Sequence, residues 1–177
     1  MSLTPPKSIA DIVHEVGRYP ESAFDFVREG LSQAVERVHG APTPSHAAIN
    51  DFLTGQHLEI GDLYELHAAG RLPPNILAAI RDAGGLEKLN RHVGGQDLCW
   101  ALRDLALARW GRLAAPVLKS WRITQTIDFG HLVFAMIKHR IMHKQPHDRL
   151  ADFADVYDFR EAFDLSFNLG DERRSGS

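Results

Sequence analysis

Residues 20–38, PESAFDFVREGLSQAVERV, set Phe24, Val27, Leu31, Ala34, Val35 and Val38 at helical spacing on one stripe. The charges Asp25, Arg28, Glu29, Glu36 and Arg37 fall mainly off that stripe. This predicts an amphipathic helix. GAPTP at 40–44 must end it, because glycine and proline do not propagate a helix. The same punctuation continues downstream. Gly55, then Gly70 with Pro73 and Pro74, then Gly84 and Gly85 cut the next stretch into three short helices near 45–54, 59–69 and 74–83.

From Gln96 the pattern tightens. Leu98, Ala101, Leu102 and Leu105 make one apolar face, while Trp100 and Leu107 point the other way, as on a central helix buried on both sides. Gly111 ends that helix, and LAAPVLKSW reads as another with Pro116 in its first turns, where a missing N–H is tolerated. Thr126 is placed to cap a helix opening at Ile127, with Asp128 favoured by the positive end of its dipole. In LADFADVYDFREAFDLSF, Phe153, Tyr157, Phe159, Phe163 and Phe167 alternate with Asp152, Asp155, Asp158, Glu161 and Asp164, which predicts rings in a core and carboxylates in water. DERRSGS, residues 171–177, reads as a frayed tail.

The fold expected is mainly α, a compact single-domain multi-helix bundle of about eight helices over 1–170. Residues 41–90 form a candidate inserted helical subdomain. Its 177 residues, 44% of them hydrophobic, suffice for a core without disulfides or metal. Laying 59–72, EIGDLYELHAAGRL, on 128–141, DFGHLVFAMIKHRI, aligns Gly61 with Gly130, Leu63 with Leu132 and Arg71 with Arg140. That alignment suggests two helix-turn-helix-like units.

A formal charge of −3 argues against a globally basic nucleic-acid binder, though not against a local patch. Cys99 is alone, so neither an intramolecular disulfide nor a cysteine zinc cluster can form, and LCWAL around it predicts an inert buried thiol. MSLTPPKS lacks a charged region followed by an apolar run, and no segment approaches a membrane span. The expectation is a cytoplasmic, unprocessed protein with no membrane partner.

DFGHLVFAMIKHRIMHKQPHD, 128–148, concentrates the chemistry-bearing residues. Asp-Phe-Gly holds magnesium in a protein kinase only alongside a glycine-rich loop, a strand lysine and a catalytic Asp and Asn, none of which is present. Phe129 reads as a first core residue. His139, His143 and His147 are spaced by four, as metal ligands on a helix would be. However, Pro146 and the position of Arg140 on the apolar face end the helix near Lys138 or His139, so the spacing does not imply a metal. Lys138, Arg140, His143, Lys144 and Arg149 remain as a basic loop. It is either a solvated helix end, paired with the acidic face of 152–164, or a phosphate-contacting nucleic-acid site.

Walker, Rossmann and nucleophile-elbow patterns are absent, and His14-Glu15 lacks the second histidine of a zinc protease. No catalytic residue, metal or cofactor is expected. The reading is a non-enzymatic helical binding protein, a protein-interaction module with an unidentified partner. The alternative is nucleic-acid binding through 138–149.

The block HVGGQDLCWALRDLALARWG, LAAPVLKSW, TIDFGHLVFAMI and DFADVYDFREAF, with YPESAFDFVREGL before it, resembles an uncharacterised family of bacterial hypothetical proteins catalogued under a Minf locus tag. W-x-I, D-F-G-x-L-V-F and Y-D-F-x-E-A-F carry the likeness as a set. This chain departs from the pattern in a longer 41–90 segment and in His139, where such proteins often turn through glycine. The resemblance implies common ancestry and no activity, ligand or site residue.

Overall fold

The computed structural model describes residues 7–142 and 144–164. The chain is mainly α, and among the described residues there is no strand. Nine α-helices occur among the described residues: α1 (Ile9–Val16), α2 (Glu21–His39), α3 (Pro44–Gln56), α4 (Ile60–Ala68), α5 (Pro74–Asp82), α6 (Gly95–Trp110), α7 (Ala114–Ser120), α8 (Thr126–Lys138) and α9 (Phe159–Phe163). Short 3₁₀ turns cover Leu86–Leu89, Gly111–Leu113 and Leu150–Phe153. No described helix is long and apolar enough to cross a membrane.

Contacts divide the chain into two compact units, Val35–His92 and the described residues on either side of it. In the 35–92 unit, α3 packs against α5, and Ile49, Leu53, Leu63, Leu72, Ile76 and Ile80 form the core. The two ends of the unit are tied together. The His39 ring nitrogen is 2.7 Å from the His92 carbonyl, and the Arg91 guanidinium donates to the Gly40 carbonyl. Thr43 caps α3, with Pro44 in the first turn where its missing N–H costs nothing. Gly55 lies inside α3 and does not stop it; the left-handed residue that does is His57, at φ 54°.

The other unit is built on α6, α7 and α8 with the buried face of α2. Ala23, Phe24, Phe26, Val27, Gly30 and Ala34 are buried, whereas Val38 at the end of the expected stripe is half-exposed. At Gly30 any Cβ would collide with the Leu102 side chain, so this glycine sets how closely α2 approaches α6. Gly130 does the same for the 3₁₀ turn at Leu150–Phe153, since a Cβ there would lie 2.8 Å from Phe153 Cγ. Phe26, Trp110 and Trp121 stack as an aromatic cluster with centroids 5.2 to 5.8 Å apart. Phe153 and Phe163 are buried with Asp155, Asp158 and Glu161 outside, as the alternation predicted; Phe167 and the 171–177 tail lie outside the described residues.

Helices α3, α4, α5, α7 and α8 all end in the same turn, in which a residue two (α3) or three positions past the helix donates back five positions: Leu58 to Leu53, Arg71 to Leu66, Gly85 to Ile80, Ile123 to Leu118 and Ile141 to Met136. The residue before each donor takes the left-handed conformation: His57, Gly70, Gly84, Arg122 and Arg140. Gly70 thus corresponds to Arg140, one position out of step with the alignment that pairs Arg71 with Arg140. The left-handed residue after α8 is Arg140, not His139, whose φ is −96°.

Two features escaped the sequence reading. Helix α1 opens on a Ser8 cap with Asp11 reciprocating, a Ser-x-x-Asp signal that was legible. Asp128 sits in the first turn of α8, where the dipole favours it, and is also only 2% exposed. Its Oδ2 accepts from the Thr124 and Gln125 amides at 3.0 and 3.1 Å. Its Oδ1 accepts from the Tyr19 hydroxyl at 2.7 Å and from Arg18 at 3.0 Å. Four donors surround one carboxylate, which is how a buried charge is made tolerable. Gln125 is the helix cap, and Thr126, expected to cap, is buried. Its Oγ1 donates to the Phe153 carbonyl at 2.6 Å and accepts from the Val156 amide at 3.2 Å.

Candidate interaction surface

The four described basic-loop residues, Lys138, Arg140, Lys144 and Arg149, share no common partner. Helix α8 ends at Lys138, before His139 and His147, so it does not carry these two on one face. Lys138 Nζ and His139 Nε2 lie 3.4 and 3.5 Å from the Glu15 carboxylate on α1, which also takes a 2.6 Å bond from Lys7. Their counter-charge therefore comes from α1 and not from the acidic face of 152–164. The Lys7 hydrogen bond and the neighbouring His139 and Lys138 hold the Glu15 carboxyl below its ordinary range. Lys144 Nζ sits 5.7 Å over the Phe134 ring. Arg140 and Arg149 are exposed, without an ion-pair partner among the described residues. His143 lies outside the described residues.

A more organised surface lies on α6. Leu98, Cys99, Ala101, Leu102, Leu105 and Ala106 are buried, but Trp100, expected to make a second buried side, is 43% exposed. Its indole is fixed from behind. The Tyr157 ring lies 4.8 Å away, and the Arg103 guanidinium lies 5.7 Å from the indole centroid. Tyr157 is held in turn by a 2.8 Å bond from its hydroxyl to the Cys99 carbonyl and by Phe159 and Phe163 at 5.9 and 6.2 Å. Arg103 Nε donates to the Ala162 carbonyl at 3.1 Å, and Nη1 pairs with Asp104 at 3.2 Å.

This arrangement suits binding better than proton transfer. Burial pushes the Cys99 thiol up to about 12, so at neutral pH it is not a thiolate nucleophile. Burial also raises the Tyr157 phenol well above its ordinary range. A rigid, half-exposed tryptophan with a cation beside it loses little side-chain freedom when covered, which is what makes Trp, Tyr and Arg effective interface anchors. The helical i, i+3 spacing of Trp100 and Arg103 was the available sequence signal; the support from Tyr157, far along the chain, had none.

Comparison with models of known protein families, with curated proteins and with solved structures returns no match.

Proposed function

We propose that this chain is a non-enzymatic helical module that binds a protein partner through the α6 surface, with Trp100 as the anchor. The observation that carries the reading is an indole left 43% exposed yet held by the Tyr157 ring and the Arg103 guanidinium. A protein partner offering an apolar pocket would cover the indole, and the gain would be large because the anchor is already ordered.

The test is affinity capture from cell extract, with and without nuclease, by the wild type and by Trp100→Ala. A protein retained after nuclease and lost in the variant supports the reading. Truncating a central anchor of about 2 kcal/mol should weaken binding about thirtyfold. Equal capture by both proteins would refute it.

The exposed Arg140 and Arg149, without an ion-pair partner among the described residues, favour a second reading, nucleic-acid binding through 138–149. In that case capture would vanish with nuclease and survive Trp100→Ala.

A further inference from the structure

A cleft of about 450 Å³, open to solvent, is lined by Val13, His14 and Gly17 at the end of α1, by Arg18, Tyr19 and Pro20, and by Ser120 and Arg122 after α7. It shares no residue with the α6 surface. Its lining is one-sided in charge: two guanidiniums and an imidazole, with no carboxylate, in a chain whose formal charge is −3.

The two arginines are held differently. Arg18 is anchored on one edge by Asp128, through a single 3.0 Å contact from Nη2, while its side chain stays 52% exposed. Its guanidinium carbon lies 5.1 Å from the Tyr19 ring centroid. Asp128 is fixed in turn by Tyr19 and by the Thr124 and Gln125 amides, so Arg18 is aimed by a rigid base and keeps most of its five donors for a ligand. Arg122 is exposed, has no ion-pair partner among the described residues, and occupies the left-handed position of the turn after α7, at φ 62°. The equivalent turns of α4 and α5 use Gly70 and Gly84 there, the residue that adopts this conformation at least cost. Arg140 shares the strain, but of the two only Arg122 lines the cleft.

We infer that this cleft binds the phosphate group of a small organic phosphate, held between Arg18 and Arg122 with His14 beside it. Val13, Tyr19 and Pro20 supply the wall for the organic part. A carboxylate is satisfied by one arginine fork, whereas two guanidiniums with an imidazole match the double charge and three free oxygens of a phosphate monoester. The volume lies in the range of small-molecule sites, about 300 to 1,000 Å³, and exceeds what a bare ion needs.

Calorimetric titration with phenyl phosphate, inorganic phosphate and benzoate tests this on the wild type, Arg122→Gly and Arg122→Asn. Both substitutions tolerate the left-handed backbone and remove the charge. The wild type should bind phenyl phosphate saturably, about tenfold tighter than benzoate, with inorganic phosphate between them. Each variant should lose about tenfold for phenyl phosphate while melting no lower than the wild type, so the loss cannot be unfolding. Saturable binding absent at millimolar phenyl phosphate, equal affinity for benzoate, or unchanged binding in both variants would each overturn the assignment.

Discussion

The Tyr19 hydroxyl donates to Asp128 Oδ1 across 109 residues of sequence at 2.7 Å, joining the turn between α1 and α2 to the first turn of α8. Both residues are buried, and all four of the hydrogen-bond partners of Asp128 are donors. Tyr19→Phe removes one donor from a buried carboxylate and should cost about 1.5 to 3 kcal/mol. Asp128→Asn should cost more despite its matching shape, because the amide hydrogens must face donors whichever way the group is turned. Urea denaturation of both variants measures this. A Tyr19→Phe protein as stable as the wild type would mean that Asp128 is held without the phenol.

Two buried phenols also set an alkaline limit. Burial, then the Asp128 hydrogen bond and charge, raise Tyr19 well above its ordinary value, and burial does the same to Tyr157. In the unfolded chain a tyrosine ionises near pH 10. The folded state keeps these two protonated, so their contribution is fully present below about pH 10 and is lost as pH rises above it. Stability measured from pH 8 to 11 should fall at the alkaline end, and Tyr19→Phe should show a shallower fall from its lower starting point.

What the sequence revealed and what it concealed divide along contact range. The three helices of the 35–92 unit were legible because Gly70, Pro73, Pro74, Gly84 and Gly85 act on their own neighbours. The end of α8 was legible for the same reason. Asp128 was placed correctly in the first turn of α8, but its burial was not legible, because a helix-terminal acid and a buried one look alike locally. The difference lies in Tyr19 and Arg18, more than a hundred residues earlier. Trp100 was misplaced in the opposite direction, since apolar side chains on both faces of α6 suggested burial that the fold gives to one face only. The cleft arginines were not singled out at all. Arg18 follows a glycine and Arg122 lies in the turn after a short helix, and nothing in either neighbourhood brings the two together.

The aligned glycines Gly61 and Gly130 should answer substitution in opposite senses. Gly130→Ala drives a Cβ to within 3 Å of Phe153 and Leu150, so it should cost about 1 to 3 kcal/mol. A Cβ at Gly61, inside α4, meets nothing within 4 Å, so Gly61→Ala should stabilise by about 0.5 to 1 kcal/mol through helix propensity. Thermal melts of the two variants give the comparison. Similar losses at both sites would mean that the two glycines sit in equally crowded surroundings after all.

Leu102 is fully buried on α6, against the bare backbone of Gly30. Leu102→Asp puts a charge where the neighbouring glycine offers no side-chain partner. The cost should be several kcal/mol, against a total stability of roughly 5 to 15 for such a chain. Circular dichroism should show loss of the cooperative melt. A normal transition would mean that α6 and α2 separate more easily than their packing indicates.

Arg140 allows the basic loop's contribution to stability to be separated from any role in binding. Its side chain is exposed and has no ion-pair partner among the described residues, and its backbone sits at φ 61° in the turn that ends α8. Arg140→Gln, with or without Lys144→Gln, changes charge but not backbone preference. It should move stability by no more than about 0.5 kcal/mol, since exposed charges contribute little. Arg140→Gly removes the left-handed penalty and should stabilise by up to about 1 kcal/mol, less the added entropy of a glycine in the unfolded chain. The order of melting temperatures expected is glycine above arginine, with glutamine level with arginine. If the double glutamine variant keeps its stability but loses binding to labelled DNA or RNA tighter than the roughly 10⁻⁴ to 10⁻⁶ M of non-specific contact, the loop is a phosphate-binding site. Wild-type binding no tighter than that range leaves Arg140 as the strained end of a helix, its charge solvated and its backbone set by the turn.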